Sequence, residues 1–167
     1  MFLPHQLTSN VKLLQKAAII RHQDGEAQVL LLKRSQDALS RPNCWDLPGG
    51  NSEWPAEDQG SAANLHLADL AREVQEETAL QIEQSDLTLT KLTHFSTFFD
   101  ADKQMFTVIA GWMIDFAKTA QNQIQISTEH QDFAWVSAAD LVQYDFGGEK
   151  GRFVVNIIQQ AFAKYQQ

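Results

Sequence analysis

One cysteine, two tyrosines and four prolines are all that 167 residues contain of those types, and cationic side chains are outnumbered by anionic ones, 13 against 21. Cys44 has no partner for an internal disulfide, so the fold is expected to need no oxidising compartment and the thiol reads as a buried or half-buried side chain. The shortage of Lys and Arg, with a formal charge of -8, excludes a surface built to neutralise many phosphates of a nucleic-acid backbone. Long apolar runs are also missing. Met1-Phe2-Leu3-Pro4-His5 has neither the basic start nor the sustained apolar stretch of a secretory signal, and no later stretch approaches membrane-spanning length. A cytoplasmic protein with no membrane partner is the expectation. Repeats, low-complexity tracts and Pro-rich linkers are absent, so the chain, 44% hydrophobic, reads as one domain spanning residues 1–167 with one substantial core.

What is present alternates between strand and helix signals. Lys16 to Ile20 and Gln28 to Leu32 are short runs of Ala, Ile, Val and Leu around a polar Arg21-His22-Gln23-Asp24-Gly25-Glu26, the pattern of two strands joined as a hairpin. From Arg41 to Gly50 two prolines and two glycines predict a turn-rich loop. Between Ser61 and Thr78 no Gly or Pro intervenes, and Leu65, Leu67, Leu70, Ala71 and Val74 recur at roughly helical spacing, which predicts a helix. Leu87 to Phe99 and Gln104 to Phe116 predict a long hairpin turning at Asp100-Ala101-Asp102-Lys103. Phe133 to Val136 predicts one more strand, Ser137 the cap of a brief helix through Leu141, and Phe153 to Tyr165 a last helix.

The chemistry concentrates on the first helix. Glu73, Glu76 and Glu77 stand at i, i+3 and i+4, so their side chains leave one face with Cβ atoms about 5 to 6 Å apart. Two like charges about 4 Å apart cost on the order of 4 kcal/mol at an effective dielectric near 20, and Arg72 offsets only part of that. Such a face is either solvated or holds a hard, oxygen-seeking divalent ion, which lets an acidic protein bind a small anionic substrate.

Upstream, Leu47-Pro48-Gly49-Gly50 is followed by Glu53 and Glu57. The segment from Trp45 to Leu80 resembles the Nudix box, G-x5-E-x7-R-E-U-x-E-E-x-G-U with U apolar; the matching residues are Gly50, Glu57, Arg72, Glu73, Val74, Glu76, Glu77 and Leu80, and Trp-Asp-Leu-Pro-Gly is similar to the family's lead-in. Two departures stand out. The spacer between Gly50 and Arg72 is longer than the pattern's by about eight residues, so Glu53, Glu57 or Asp58 fills the first acidic position, and Asp58 to Asn64 are free to extend the helix. Ala79 replaces the family's Gly at the helix end, where a left-handed cap costs a non-Gly residue roughly 1 to 2 kcal/mol; a different helix end is expected.

The resemblance implies an α/β fold, an α/β/α sandwich around a mixed sheet, and a pyrophosphohydrolase cleaving a nucleoside diphosphate linked to a group X. It implies Mg²⁺, with Mn²⁺ as the alternative, on Glu73, Glu76 and Glu77 and a backbone carbonyl of Gly49-Gly50, with Gly50 the chosen ligand. Arg72 and Glu57 would orient helix and loop. Glu129, shortly before Phe133-Ala134-Trp135-Val136, is similar to a carboxylate that enters such sites from a distant loop as ligand or general base, and His130 beside it is expected at the surface. The favoured substrate is a nucleoside triphosphate; the alternatives are ADP-ribose or a nucleotide sugar, or a noncatalytic nucleotide-binding regulatory module. Near His94 to Ser96 there is neither the Pro of ADP-ribose pyrophosphatases nor the Tyr of diadenosine polyphosphate hydrolases. Lys33, Arg34 and Arg41 read as phosphate contacts or as ordinary surface charges. Most of Phe95, Phe98, Phe99 and Phe106 should face the core, with base stacking the alternative.

Overall fold

The computed structural model describes residues 10–53, 63–119 and 123–166. Six strands form one mixed sheet, ordered β3-β2-β1-β5-β4, with β6 also pairing β2. They are β1 (Val11–Gln23), β2 (Glu26–Arg34), β3 (Trp45–Asp46), β4 (Leu92–Asp100), β5 (Met105–Asp115) and β6 (His130–Ser137); the helices are α1 (Leu65–Thr78) and α2 (Arg152–Tyr165). The expected hairpins are present, β1 with β2 and β4 with β5, both antiparallel, whereas β1 and β5 run parallel.

Each helix buries its apolar stripe on one sheet face. Leu70 and Val74 of α1 pack with Ala17, Ile19, Leu30 and Leu32. On the other face Val154, Ile157, Ile158 and Ala161 of α2 pack with Ala18, Ile20, Val29 and Leu31. Both faces of the sheet are therefore covered, which explains why Val29 to Leu32 is an unbroken apolar run instead of an alternating one. The result is the α/β/α sandwich.

The feature that positions the site is a fork. β1 pairs with β2 only from Ile20 to Gln23; before that, residues 48–52 run along the free side of β1. Ala17 N–H donates to Pro48 O (2.8 Å), Gln15 N–H to Gly50 O (2.9 Å) and Ser52 N–H to Leu13 O (2.8 Å). Extended backbone groups that lose a strand partner need another, and this loop supplies it.

Several local expectations are corrected. Ala63 and Asn64 do not extend α1; Asn64 sits in left-handed geometry with φ 58, so the helix starts at Leu65. Ala79 does adopt the left-handed cap, φ 62, its N–H donating to Gln75 O at 2.8 Å, so the helix ends as a glycine would end it. Leu87 to Lys91 is not strand but includes a 3₁₀ turn, and β4 starts only at Leu92. Ser137 donates its hydroxyl to Asp140 Oδ2 (2.8 Å) instead of capping a helix start. Phe95, Phe98 and Phe99 are 65%, 60% and 53% exposed. They lie on β4, the sheet's edge strand, where alternation does not guarantee cover on both faces.

Candidate active site

α1 carries its acids at the end where the helix dipole disfavours them, and no basic residue sits in its last turn. Glu77 is buried among Leu70, Val74 and Thr78 on the inward side. Its Oε2 accepts the Gly49 N–H at 2.7 Å. Burial pushes its carboxyl up to about 7, against the opposing pull of Lys16 and the Gly49 N–H. Glu73, also raised by burial against the pull of Arg72, lies against Gly50. A Cβ on Gly50 would collide with the Glu73 carboxylate, and one on Gly49, at φ 121, with the carbonyl of Gln15. The glycine pair thus allows backbone and carboxylates to meet.

Glu76 does not join them. Its side chain is 59% exposed and its Oε2 takes Arg72 Nη1 at 3.0 Å. Arg72 also reaches Glu73 (3.0 Å), Glu53 (3.6 Å) and Asp69 (3.9 Å). Burial alone would lower the guanidinium's pKa, but the Glu76 hydrogen bond and the surrounding carboxylates raise it. Among the described residues no three His, Cys, Asp or Glu side chains close around a common point. Of the three candidates for the first acidic position, Glu53 is the one described, and it meets Arg72; Glu57 and Asp58 lie outside the described residues.

The donor set fits a hard divalent cation: carboxylate oxygens, with peptide carbonyls alongside, and a buried acid whose ionised form has no cation in direct contact. Glu73 and Glu77 already face the glycine loop. Glu76 is held away from it by Arg72, in an exposed pair worth about 0 to 1 kcal/mol.

His130 is not at the surface. It is buried, its Nε2 3.7 Å from Glu77 Oε1, and burial, with Lys16 nearby, lowers its pKa to about 4, so the ring is neutral. The loop before β6 folds over the end of α1, with Gln125 N–H donating to Thr78 O (2.9 Å) and Ser127 N–H to Glu77 O (3.3 Å). Glu129 occupies the exposed turn of that loop, and its backbone carbonyl accepts Ser35 N–H at 2.9 Å.

Arg34 and Arg41 are not ordinary surface charges. Both pair with the buried Asp46, Arg41 at 2.5 Å and Arg34 at 3.3 Å, and Lys16 joins them at 3.2 Å. Burial would raise the Asp46 carboxyl, but Lys16, Arg41, the Leu47 N–H and Arg34 outweigh it and hold the carboxyl below the usual range. Lys33 instead stands over the Trp45 ring at 5.9 Å. Lys16, Asp46 and His130 were not singled out from the sequence for these roles. One signal was there: a lone Lys opening the apolar run Lys16 to Ile20 is a charge that needs a buried partner.

The chain is 32% identical over 119 residues to the nucleoside triphosphatase NudI of Escherichia coli O1:K1 / APEC, covering 70% of this chain and 77% of that protein. Among solved structures, the NUDIX domain of Shewanella oneidensis NrtR, complexed with ADP ribose, superposes with a TM-score of 0.64 at 19% identity, covering 98% of this chain and 94% of the other. The MutT NUDIX hydrolase of Burkholderia pseudomallei superposes with a TM-score of 0.62 at 20% identity, covering 90% and 99%. These two likenesses speak for the fold. With the NUDIX domain matched across residues 13–156, the chain belongs to the Nudix hydrolases, enzymes acting on phosphoric anhydride bonds.

Proposed function

We propose that this chain, working as one domain, is a Mg²⁺-dependent pyrophosphohydrolase of a nucleoside diphosphate linked to X, with a nucleoside triphosphate as substrate, cleaved to the monophosphate and pyrophosphate. The observation that carries the reading is Glu77. It is a buried carboxyl held by a backbone N–H and faced by a neutral histidine, with Glu73 on the same glycine loop. A group so placed gains most from an external cation.

Glu73, Glu77 and, once free of Arg72, Glu76 hold the ion. The Gly50 carbonyl, which accepts the Gln15 N–H, has a second lone pair to offer. Bound there, Mg²⁺ supplies charge neutralisation on the phosphoryl oxygens and lowers the pKa of a coordinated water. Arg72 ties Glu73 and Glu76 to Glu53 and fixes the helix against the loop. Glu129, next in sequence to the ring facing Glu77, takes the proton of the attacking water. Phe95 and Phe99 share the sheet face on which α1 lies, since they pair with Ala110 and Phe106, and Ala110 packs in the α1 core; they offer a base a flat apolar surface.

The test is pyrophosphate and phosphate release with Mg²⁺ or Mn²⁺ across nucleoside triphosphates, ADP-ribose, nucleotide sugars and diadenosine polyphosphates. Turnover of at least one triphosphate is expected, with a loss of roughly 10²-fold or more in Glu73→Gln and Glu77→Gln. If every compound stays intact under saturating Mg²⁺ while a nucleotide still binds, the chain is a regulatory binding module.

A further inference from the structure

Four consecutive carbonyls of the glycine loop are tied to β1. Pro48 O and Gly50 O accept backbone N–H groups, from Ala17 and Gln15. Leu47 O and Gly49 O accept the same side chain, Lys16 Nζ, at 3.0 and 2.7 Å. The ammonium also stands 3.2 Å from the Asp46 carboxylate as an ion pair. Lys16 is 4% exposed, so these oxygens replace water around a buried charge.

Between those two clamped carbonyls lies the Pro48–Gly49 peptide: its own carbonyl faces Ala17, so its N–H points the other way, toward α1, where it donates to Glu77 Oε2 at 2.7 Å. Gly49 adopts φ 121, and a side chain there would strike the Gln15 carbonyl. Lys16 reaches both the Gly49 carbonyl and the buried acid Asp46.

We infer that Lys16 is a positioning residue for the metal-binding carboxylate: by clamping the Leu47 and Gly49 carbonyls, on either side of the Pro48–Gly49 peptide, it steadies the Gly49 N–H that holds Glu77 Oε2 and leaves the other Glu77 oxygen for the ion. This rests on the reading of Glu77 as a ligand. A different role for the same ammonium predicts the opposite sign. If Lys16 acted only as a charge near Glu73 and Glu77, it would compete with the cation, and removing it would tighten binding.

The experiment is calorimetric titration of the metal-free protein with Mg²⁺ alone, comparing wild type, Lys16→Met and Lys16→Gln, with steady-state kinetics alongside. Met keeps an apolar stem of similar length and no donor, and Gln restores two donors without charge. Positioning predicts that Lys16→Met loses roughly tenfold or more in Mg²⁺ affinity, that Lys16→Gln recovers part of it, and that kcat falls more than KM rises. Equal or tighter Mg²⁺ binding by Lys16→Met overturns the inference, as does a variant that is only less stable. Should neither variant fold, amide exchange of Gly49 in the intact metal-free protein decides: strong protection is expected, and exchange at the rate of an open loop overturns it. Failure of the wild type itself to bind Mg²⁺ removes the proposed function, which is a separate outcome.

Discussion

Two buried carboxylates stand on either side of one short loop, Asp46 just before Leu47-Pro48-Gly49-Gly50 and Glu77 across from it, and their surroundings are opposite. Asp46 has three cations, Lys16, Arg34 and Arg41, and the Leu47 N–H. Glu77 has one N–H, an uncharged imidazole and another carboxylate for neighbours, and the one cation that pulls on it, Lys16, is bonded to the loop carbonyls and Asp46 instead. The same cost of taking a charge out of water is met internally at one site and left open at the other. Asp46 is thereby kept ionised and serves the fold; the Glu77 carboxyl is pushed up to about 7, which suits the cation-binding role proposed for it. Burial alone does not separate a structural acid from a functional one; the balance of charge around it does.

The largest expected effect tests that balance from the structural side. Asp46→Asn leaves three cations facing a neutral amide and should cost about 3 to 5 kcal/mol of stability, read as a lowered midpoint in urea. Glu77→Gln, measured without metal at pH 8, should cost nothing or raise stability, because it removes a buried charge that has no cation on it. Equal losses in the two variants would erase the distinction.

The pH dependence of stability sharpens it. The Asp46 carboxyl is held below its unfolded value near 3.8, so its contribution is complete above that value and is lost as pH falls through the folded one. The Glu77 carboxyl is raised from 4.5 to about 7. In the metal-free fold its favourable protonated state is present below the unfolded value and is lost as pH rises through 7. Buried neutral His130, lowered from 6.5 to about 4, has the opposite slope over much of that window, which calls for a difference measurement. The stability of Glu77→Gln relative to wild type should climb between pH 4.5 and 7, by on the order of 3 kcal/mol, and level off above it. Added Mg²⁺ should raise the wild-type melting temperature more at pH 8 than at pH 6, since ion and proton compete for one carboxylate.

The two sites differed just as much in how far the sequence exposed them. Glu73, Glu76 and Glu77 lie on one helix, where spacing alone fixes their common face, and both glycines precede it in an unmistakable turn. The Asp46 cluster joins residues from β1, β2, β3 and the loop between β2 and β3, and no periodicity brings Lys16, Arg34, Arg41 and Asp46 together before the chain folds. His130 looked like a surface residue because its burial depends on a loop docking over the end of α1, a tertiary event. The phenylalanines of β4 were expected inside because alternation reads the same on an edge strand as on a central one. The Glu76 side chain illustrates a further gap: the helix sets where it starts, but Arg72 decides where it points.

The smallest expected effect concerns the helix end that carries the site. α1 closes on two features that oppose its stability: acids beside a C-terminus, and Ala79 at φ 62. A left-handed alanine costs roughly 1 to 2 kcal/mol that glycine avoids, while glycine gives back about 0.4 to 1 kcal/mol through its freer unfolded chain. Ala79→Gly should therefore raise stability by about 0.5 to 1 kcal/mol, seen as a higher denaturant midpoint with an unchanged slope. Ala79 bonds through its backbone N–H to Gln75 O, a contact glycine keeps, so Mg²⁺ affinity should not move. A gain in stability accompanied by weaker Mg²⁺ binding would mean that the strained end of α1 helps set the direction of Glu76 and Glu77.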